Sequence, residues 1–229
     1  MTQKEHAESS EQQVVIPAGP RRVRGILSLP RAAVGVVVFA HGSGSGRFSP
    51  RNQYVAGVLR QAGIATLLID LLEEDEADDR RKVFDIELLA IRLQAAADWL
   101  GRHAETTRLR LGYFGASTGA GAALVAAARD PDAVRAVVSR GGRPDLAYDD
   151  LPAVTAPTLL IVGGYDEEVL ELNRRALAMI NCTKELIVVP GATHLFEEPG
   201  TLEEVARLAT EWFRQYLGSA PSPSVGEAS

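Results

Sequence analysis

The chain has one cysteine, Cys182, in 229 residues, so an internal disulfide is excluded. No spacing of cysteine and histidine has the zinc-site pattern, and no metal is expected. Cys182 itself reads as a small residue beside a strand rather than a reactive thiol. Basic charge is also short: 24 Lys and Arg against 30 Asp and Glu leave a formal net charge of -6. Nucleic acids and anionic membranes attract proteins chiefly through positive charge, so neither is expected as a general partner. There is no run of about eighteen apolar residues, which argues against a membrane span. The opening MTQKEHAESSEQ lacks the apolar centre of a signal peptide, and a cytoplasmic location is expected.

What is present suffices for a folded core: 46% of residues are hydrophobic and 24% charged, within the usual size of one α/β domain. Residues 1–12 and 219–229 are small, polar or proline-containing, and are expected to be flexible tails flanking a single domain over 13–218. Nothing in the sequence fixes the oligomeric state. Apolar, β-branched runs at 33–40, 64–71, 109–115, 133–139, 157–163 and 185–191 show little alternation, as expected of strands covered on both faces. VVIPAGPRRVRGILSLP, before them, reads as two strands joined by a Gly-Pro turn, an antiparallel pair at one edge.

Helical patterns fill the intervals. Ser49 followed by Pro50 marks an N-cap, and Gly63 ends that helix. Leu89, Leu93, Ala96 and Leu100 recur at helical spacing within 82–101. Thr201 with Glu204 predicts a capping box for the last helix, which Gly218 ends. Trp99 and Trp212 fall on helices as packing residues. The acidic run EEDEADD (73–79) reads as a solvated loop. The expected fold class is therefore α/β: a three-layer sandwich around a mostly parallel sheet of about eight strands with an antiparallel N-terminal edge pair. In such sheets ligands bind beyond the carboxyl ends of the strands.

The loops at those ends carry the chemistry. LGYFGASTGAG (111–121) fits both a G-x-S-x-G elbow and the glycine spacing of a nicotinamide-dependent reductase. HGSGSGRFSPRN (41–52) turns backbone N–H groups toward one point, which suits a phosphate or an oxyanion. It lacks a Walker ending, and Arg47 stands where a dinucleotide loop needs its last glycine. Ser117, Asp166 and His194 follow three different strands in chain order. A serine hydroxyl needs a base to take its proton, and the imidazole needs a carboxylate on its other nitrogen. Of the four histidines, His6 lies in the tail, His103 just past a helix, and His41 directly after a strand, which leaves His194. Asp166 alone is equally well read as the N-cap of DEEVLELNRRALAMI. A short-chain reductase would place its glycine loop after the first strand and carry Tyr-x-x-x-Lys, and the chain has neither.

FAHGSGSG, GASTG, LLIVGGYDEEV and PGATHLF together resemble the α/β-hydrolase superfamily, in particular its small lid-less members similar to dienelactone hydrolases. The resemblance spans most of 13–217. It implies Ser117 as nucleophile, Asp166 as acid, His194 as base, and an oxyanion hole from the N–H groups of Thr118 and Ser43, with Gly44 the alternative. It further implies a serine hydrolase acting on small carboxylic esters or lactones without a cofactor. Dienelactone hydrolases proper carry cysteine at the elbow, where this chain has Ser117. Only RGGRPDLAYDDLPAVTA (140–156) joins the sixth strand to the seventh, so an open, shallow pocket is expected. Arg47, Arg140 and Arg143 lie on the active-site side, either as clamps for a substrate carboxylate or as partners in surface ion pairs. The rival from another class is a hydrolase-fold protein that only binds.

Overall fold

The computed structural model describes residues 10–218. In chain order the elements are β1 (Ser10–Ala18), β2 (Arg21–Leu29), β3 (Gly35–Ala40), α1 (Pro50–Gln61), β4 (Ala65–Ile69), α2 (Glu74–Ala77), α3 (Arg80–Val83), α4 (Ile86–Arg102), β5 (Arg110–Ala116), α5 (Thr118–Arg129), β6 (Val134–Arg140), β7 (Thr158–Gly163), α6 (Glu167–Met179), β8 (Lys184–Val189) and α7 (Thr201–Leu217). One sheet orders them β1-β2-β4-β3-β5-β6-β7-β8. β1 pairs antiparallel with β2, and β2 antiparallel with β4, while β3 to β8 run parallel. The expected α/β sandwich with its antiparallel edge pair is the fold observed.

The lack of alternation in the strands has a direct cause. In β3, Val36, Val38 and Ala40 enter one core, while Val37 and Phe39 enter the other. The first core lies under α4 and α5, the second under α1 and α7. A strand with apolar layers on both sides must be apolar at every position. β8, at the sheet edge, exposes Lys184 and Glu185, charges of the kind that discourage pairing with another chain.

Several local expectations hold. Ser49 Oγ accepts the Asn52 N–H, and Gly63 follows the helix end at φ 81°. Leu89, Leu93, Ala96 and Leu100 are buried on α4, and Trp212 donates its indole N–H to Pro157 O at 3.2 Å. Cys182 is half-buried just before β8, with its thiol 3.0 Å from Ala156 O.

Others need correction. β1 starts at Ser10, inside the segment expected as tail; the rest of both expected tails lies outside the described residues. The helical pattern over 82–101 is divided, with α3 ending at Val83 and α4 capped afresh by the Asp85 carboxylate. Thr201 opens no capping box, because Gly200 in the left-handed region occupies the N-cap and the Thr201 hydroxyl donates back to Glu198 O at 2.7 Å. The reciprocal box is instead at Glu73 and Glu76, inside the supposedly solvated acidic run. Glu76 is buried there, 3.2 Å from the equally buried Arg92 guanidinium and 3.3 Å from Lys82. Among the described residues no helix is long and apolar enough to cross a membrane.

Candidate active site

The carboxyl ends of the parallel strands converge on the turn from β5 into α5. Ser117 stands there at φ 51° and ψ −124°, a backbone region that a residue with a side chain occupies only under strain. Among the described residues only one other non-glycine has positive φ, Phe196 at 56°, two residues beyond His194. Strain is thus concentrated at one place.

The glycines around Ser117 are explained by crowding rather than by a ligand. A Cβ on Gly115 would lie 2.4 Å from Ala120 Cα, and one on Gly119 would lie 2.3 Å from Ala40 O and 2.5 Å from His41 O. Two carbonyl oxygens facing Gly119 would repel a pyrophosphate, which removes the physical basis of the reductase reading. A Cβ on Gly42 would be 2.9 Å from Ser117 Cβ, so the 41–48 loop lies directly against the elbow.

Asp166 occupies the N-cap position of α6, yet its side chain makes no capping bond. Its Oδ2 instead accepts the N–H of His194 Nδ1 at 2.6 Å, with the carboxylate largely buried and the imidazole about one-third exposed. Because an ionised carboxylate only accepts, this bond leaves the lone pair on Nε2. The imidazole sits over Gly141, whose own Cβ would be 3.5 Å from the ring. Gly141 follows Arg140, the register partner of Ala116, and the Ser117 N–H donates to Arg140 O at 3.3 Å. The His194 ring thus lies beside the residue that follows β6, and Ser117 beside the neighbouring end of β5. Among the described residues no hydrogen bond joins Ser117 Oγ to His194, whose side-chain bond is to Asp166.

The N–H groups of Ser43, Gly44 and Thr118 donate to no acceptor among the described residues. All belong to the loop against Ser117 or to the first turn of α5. The α5 N-terminus adds positive potential at the same point. A cavity of about 470 Å³ opens beside them, between the 41–48 loop, Leu71, Ala77, Val83, Leu89 and Thr118. Its outer wall is the α2–α3 segment, a feature not anticipated from the short β6–β7 connection.

The three candidate arginines part company. Arg47 is tied to Asp70 through both its backbone N–H and its guanidinium. Arg143 makes a fork with Asp145 at 2.7 and 2.8 Å. Arg140 is 7% exposed and has no carboxylate partner among the described residues, and its Nε is buried without an acceptor. Burial, and then the charge of Arg51, push its pKa down to about 10. Its guanidinium carbon lies 5.9 Å from the Phe196 ring centre.

Sequence reasoning passed over His41 and Asp70. His41 is buried, and burial lowers its pKa, so the ring is neutral. Its Nε2 accepts the Leu71 N–H at 3.0 Å, which places the ring proton on Nδ1 for donation to Gly42 O at 2.8 Å. The only available signal was the position of Asp70 and Leu71 at the end of the neighbouring strand.

Residues 23–217 match the model of the dienelactone hydrolase family. A Mycobacterium tuberculosis protein named "Putative phosphoribosyl transferase Rv0571c" is 62% identical over 214 residues, covering 93% of this chain and 48% of that protein. The chain thus spans about half the length of the curated relatives it matches. The crystal structure of a dienelactone hydrolase from Anabaena variabilis superposes with a TM-score of 0.88 at 57% identity, covering 91% of this chain and 98% of that one. Est1E from Butyrivibrio proteoclasticus, at 18% identity and a TM-score of 0.77 over 90% of this chain and 99% of its own, shares the fold. With the family model matched over 23–217 and a dienelactone hydrolase structure 57% identical, the chain belongs to the dienelactone hydrolase family.

Proposed function

We propose that the protein is a serine hydrolase that cleaves small carboxylic esters or lactones through an acyl-enzyme. Ser117 Oγ attacks the carbonyl while His194 Nε2 takes its proton. Asp166 holds the imidazole in the required tautomer and stabilises the cation that forms. The N–H groups of Thr118 and Ser43, with Gly44 as the alternative, face the developing oxyanion. His194 then protonates the leaving alcohol, and water activated by the same imidazole releases the acid. No step calls on a metal or organic cofactor.

One observation carries this reading: a carboxylate at a helix N-cap position turns away from its own helix to bind an imidazole at 2.6 Å. A merely structural Asp166 would cap α6. The transferase name belongs to a relative about twice as long as the matched stretch, and the crowded glycine corner offers no diphosphate cradle. Arg140, the one candidate arginine without a carboxylate among the described residues, is the residue placed against an acidic group of the substrate, whereas Arg47 and Arg143 serve in ion pairs.

The test is turnover of 4-nitrophenyl acetate by the wild type and Ser117→Ala. A fall on the order of a million-fold, on the subtilisin precedent, is expected with folding intact. Undiminished turnover would show a different chemistry, and no turnover by either protein would favour the pure binder. Arg140→Met is expected to slow anionic esters selectively, and an equal effect on neutral esters would remove the substrate role of Arg140.

A further inference from the structure

We propose that Asp70 and His41 are positioning residues that clamp the oxyanion loop to the end of β4, setting the place of the Ser43 N–H. The inference rests on the acyl-transfer reading above and adds two residues that touch no reacting atom.

The loop from His41 to Phe48 is fastened at both ends to one short stretch, Asp70-Leu71. At its entry, Leu71 N–H donates to His41 Nε2 at 3.0 Å, and the opposite ring nitrogen donates to Gly42 O at 2.8 Å. One imidazole thus joins two strand ends and fixes the direction of the peptide that carries the Ser43 N–H. At its exit, Asp70 Oδ1 accepts the Arg47 N–H at 2.7 Å, and Oδ2 receives the Arg47 guanidinium. Gly46 packs against this carboxylate: a Cβ there would sit 2.7 Å from Asp70 Oδ1 and push it aside. The Ser49 N–H to Gly46 O bond at 3.0 Å then hands the chain to α1.

Between these anchors the Ser43, Gly44 and Ser45 N–H groups make no hydrogen bond among the described residues, and Gly44 adopts φ 69°. A stretch of free donors cannot hold its own shape by its own bonds. Its geometry must come from the anchors and from the contact of Gly42 with Ser117. Donors stabilise an oxyanion without reorganisation only when they are already fixed, which is the service the two anchors perform. Asp70 would otherwise set a negative charge near the developing oxyanion, and the Arg47 guanidinium offsets it.

The experiment compares Asp70→Asn, His41→Ala and His41→Gln with the wild type on 4-nitrophenyl acetate, with phenyl trifluoromethyl ketone as the tetrahedral-adduct probe. Asp70→Asn and His41→Ala are expected to lose about ten- to a hundred-fold in kcat with KM within about two-fold. Ketone affinity should fall by a similar factor, a readout that lost stability alone would not move. His41→Gln, whose side-chain oxygen can still accept from Leu71, should recover part of the loss. The Asp70→Asn/His41→Ala double variant should be little worse than the poorer single one, because both act through one loop. Glu87→Gln, on a remote exposed ion pair with Arg129, is the unchanged control. Where Asp70→Asn does not fold, Arg47→Met tests the same anchor. Folded variants with kcat and ketone affinity within two-fold of wild type would overturn the clamp. If Ser117→Ala abolishes turnover while these variants remain fully active, the clamp alone falls; if Ser117→Ala is active, the acyl-transfer reading falls.

Discussion

Adding one methyl group at Gly119 should cost both stability and rate, and the structure sets the scale. An alanine Cβ there would lie 2.3 Å from Ala40 O and 2.5 Å from His41 O, whereas ordinary contact begins near 3.4 Å. Both obstacles are backbone at the end of β3, so no side chain can swing aside. The first turn of α5 must therefore move by about 1 Å away from β3, or the buried strand must yield. Overpacking of this kind costs about 1–3 kcal/mol, which for a chain of this size lowers Tm by roughly 2–12 °C. The same displacement separates the Thr118 N–H from the loop carrying Ser43, and a 1 Å error in such a site costs on the order of a hundred-fold in kcat. Gly57, in the middle of α1, gives the opposite sign. A Cβ there meets only Arg60 Nη2 at 3.8 Å, so Gly57→Ala should stabilise by about 0.5–1 kcal/mol with kcat unchanged. Thermal unfolding and ester turnover of both variants are the assay. Gly119→Ala with wild-type Tm and kcat would refute the close approach of α5 to β3 and with it the reason for the glycine.

Other perturbations separate the remaining parts. Asp166→Asn places an amide against His194 Nδ1 and should lower kcat about ten-thousand-fold with little change in Tm, as measured by steady-state kinetics and thermal unfolding. Glu76→Gln leaves the buried Arg92 without its countercharge and should destabilise by about 3–5 kcal/mol in urea, while replacing both by methionine should recover most of that. His41, held neutral by burial, has a folded pKa below its ordinary 6.5, so the unfolded chain binds the proton first. Its contribution to stability is complete above pH 6.5 and is lost as pH falls toward the folded pKa. Unfolding followed from pH 7.5 to about 5 should lose part of that slope in His41→Gln.

The sheet was legible because parallel strands between two helical layers are apolar at every position, as Val36 to Ala40 show. The elbow was legible because its glycines answer to local backbone crowding, which a short sequence window records. Asp166 taken alone was not decided by sequence, since a helix N-cap and a histidine partner use the same residue at the same place; the Ser-Asp-His order and the resemblance pointed to the second, and the direction of its carboxylate separates them. Glu76 was hidden because its partner Arg92 lies a helix away, and a glutamate among acidic neighbours carries no mark of burial. The Arg143–Asp145 pair is two residues apart and was open to view, whereas Arg47–Asp70 joins different strand ends. His41 was passed over for the same reason, because its partner Leu71 comes near only in the folded sheet. Thr201 and Glu204 had the spacing of a capping box, but Gly200 with its left-handed backbone took the cap position first.

The most direct measurement of the central claim is mass analysis of the protein after exposure to a fluorophosphonate. A single adduct on the peptide containing Ser117 is expected, slowed severely in His194→Ala and absent in Ser117→Ala. No adduct on the folded wild type, or equal labelling of Ser117→Ala, would contradict an activated serine at the turn from β5 into α5.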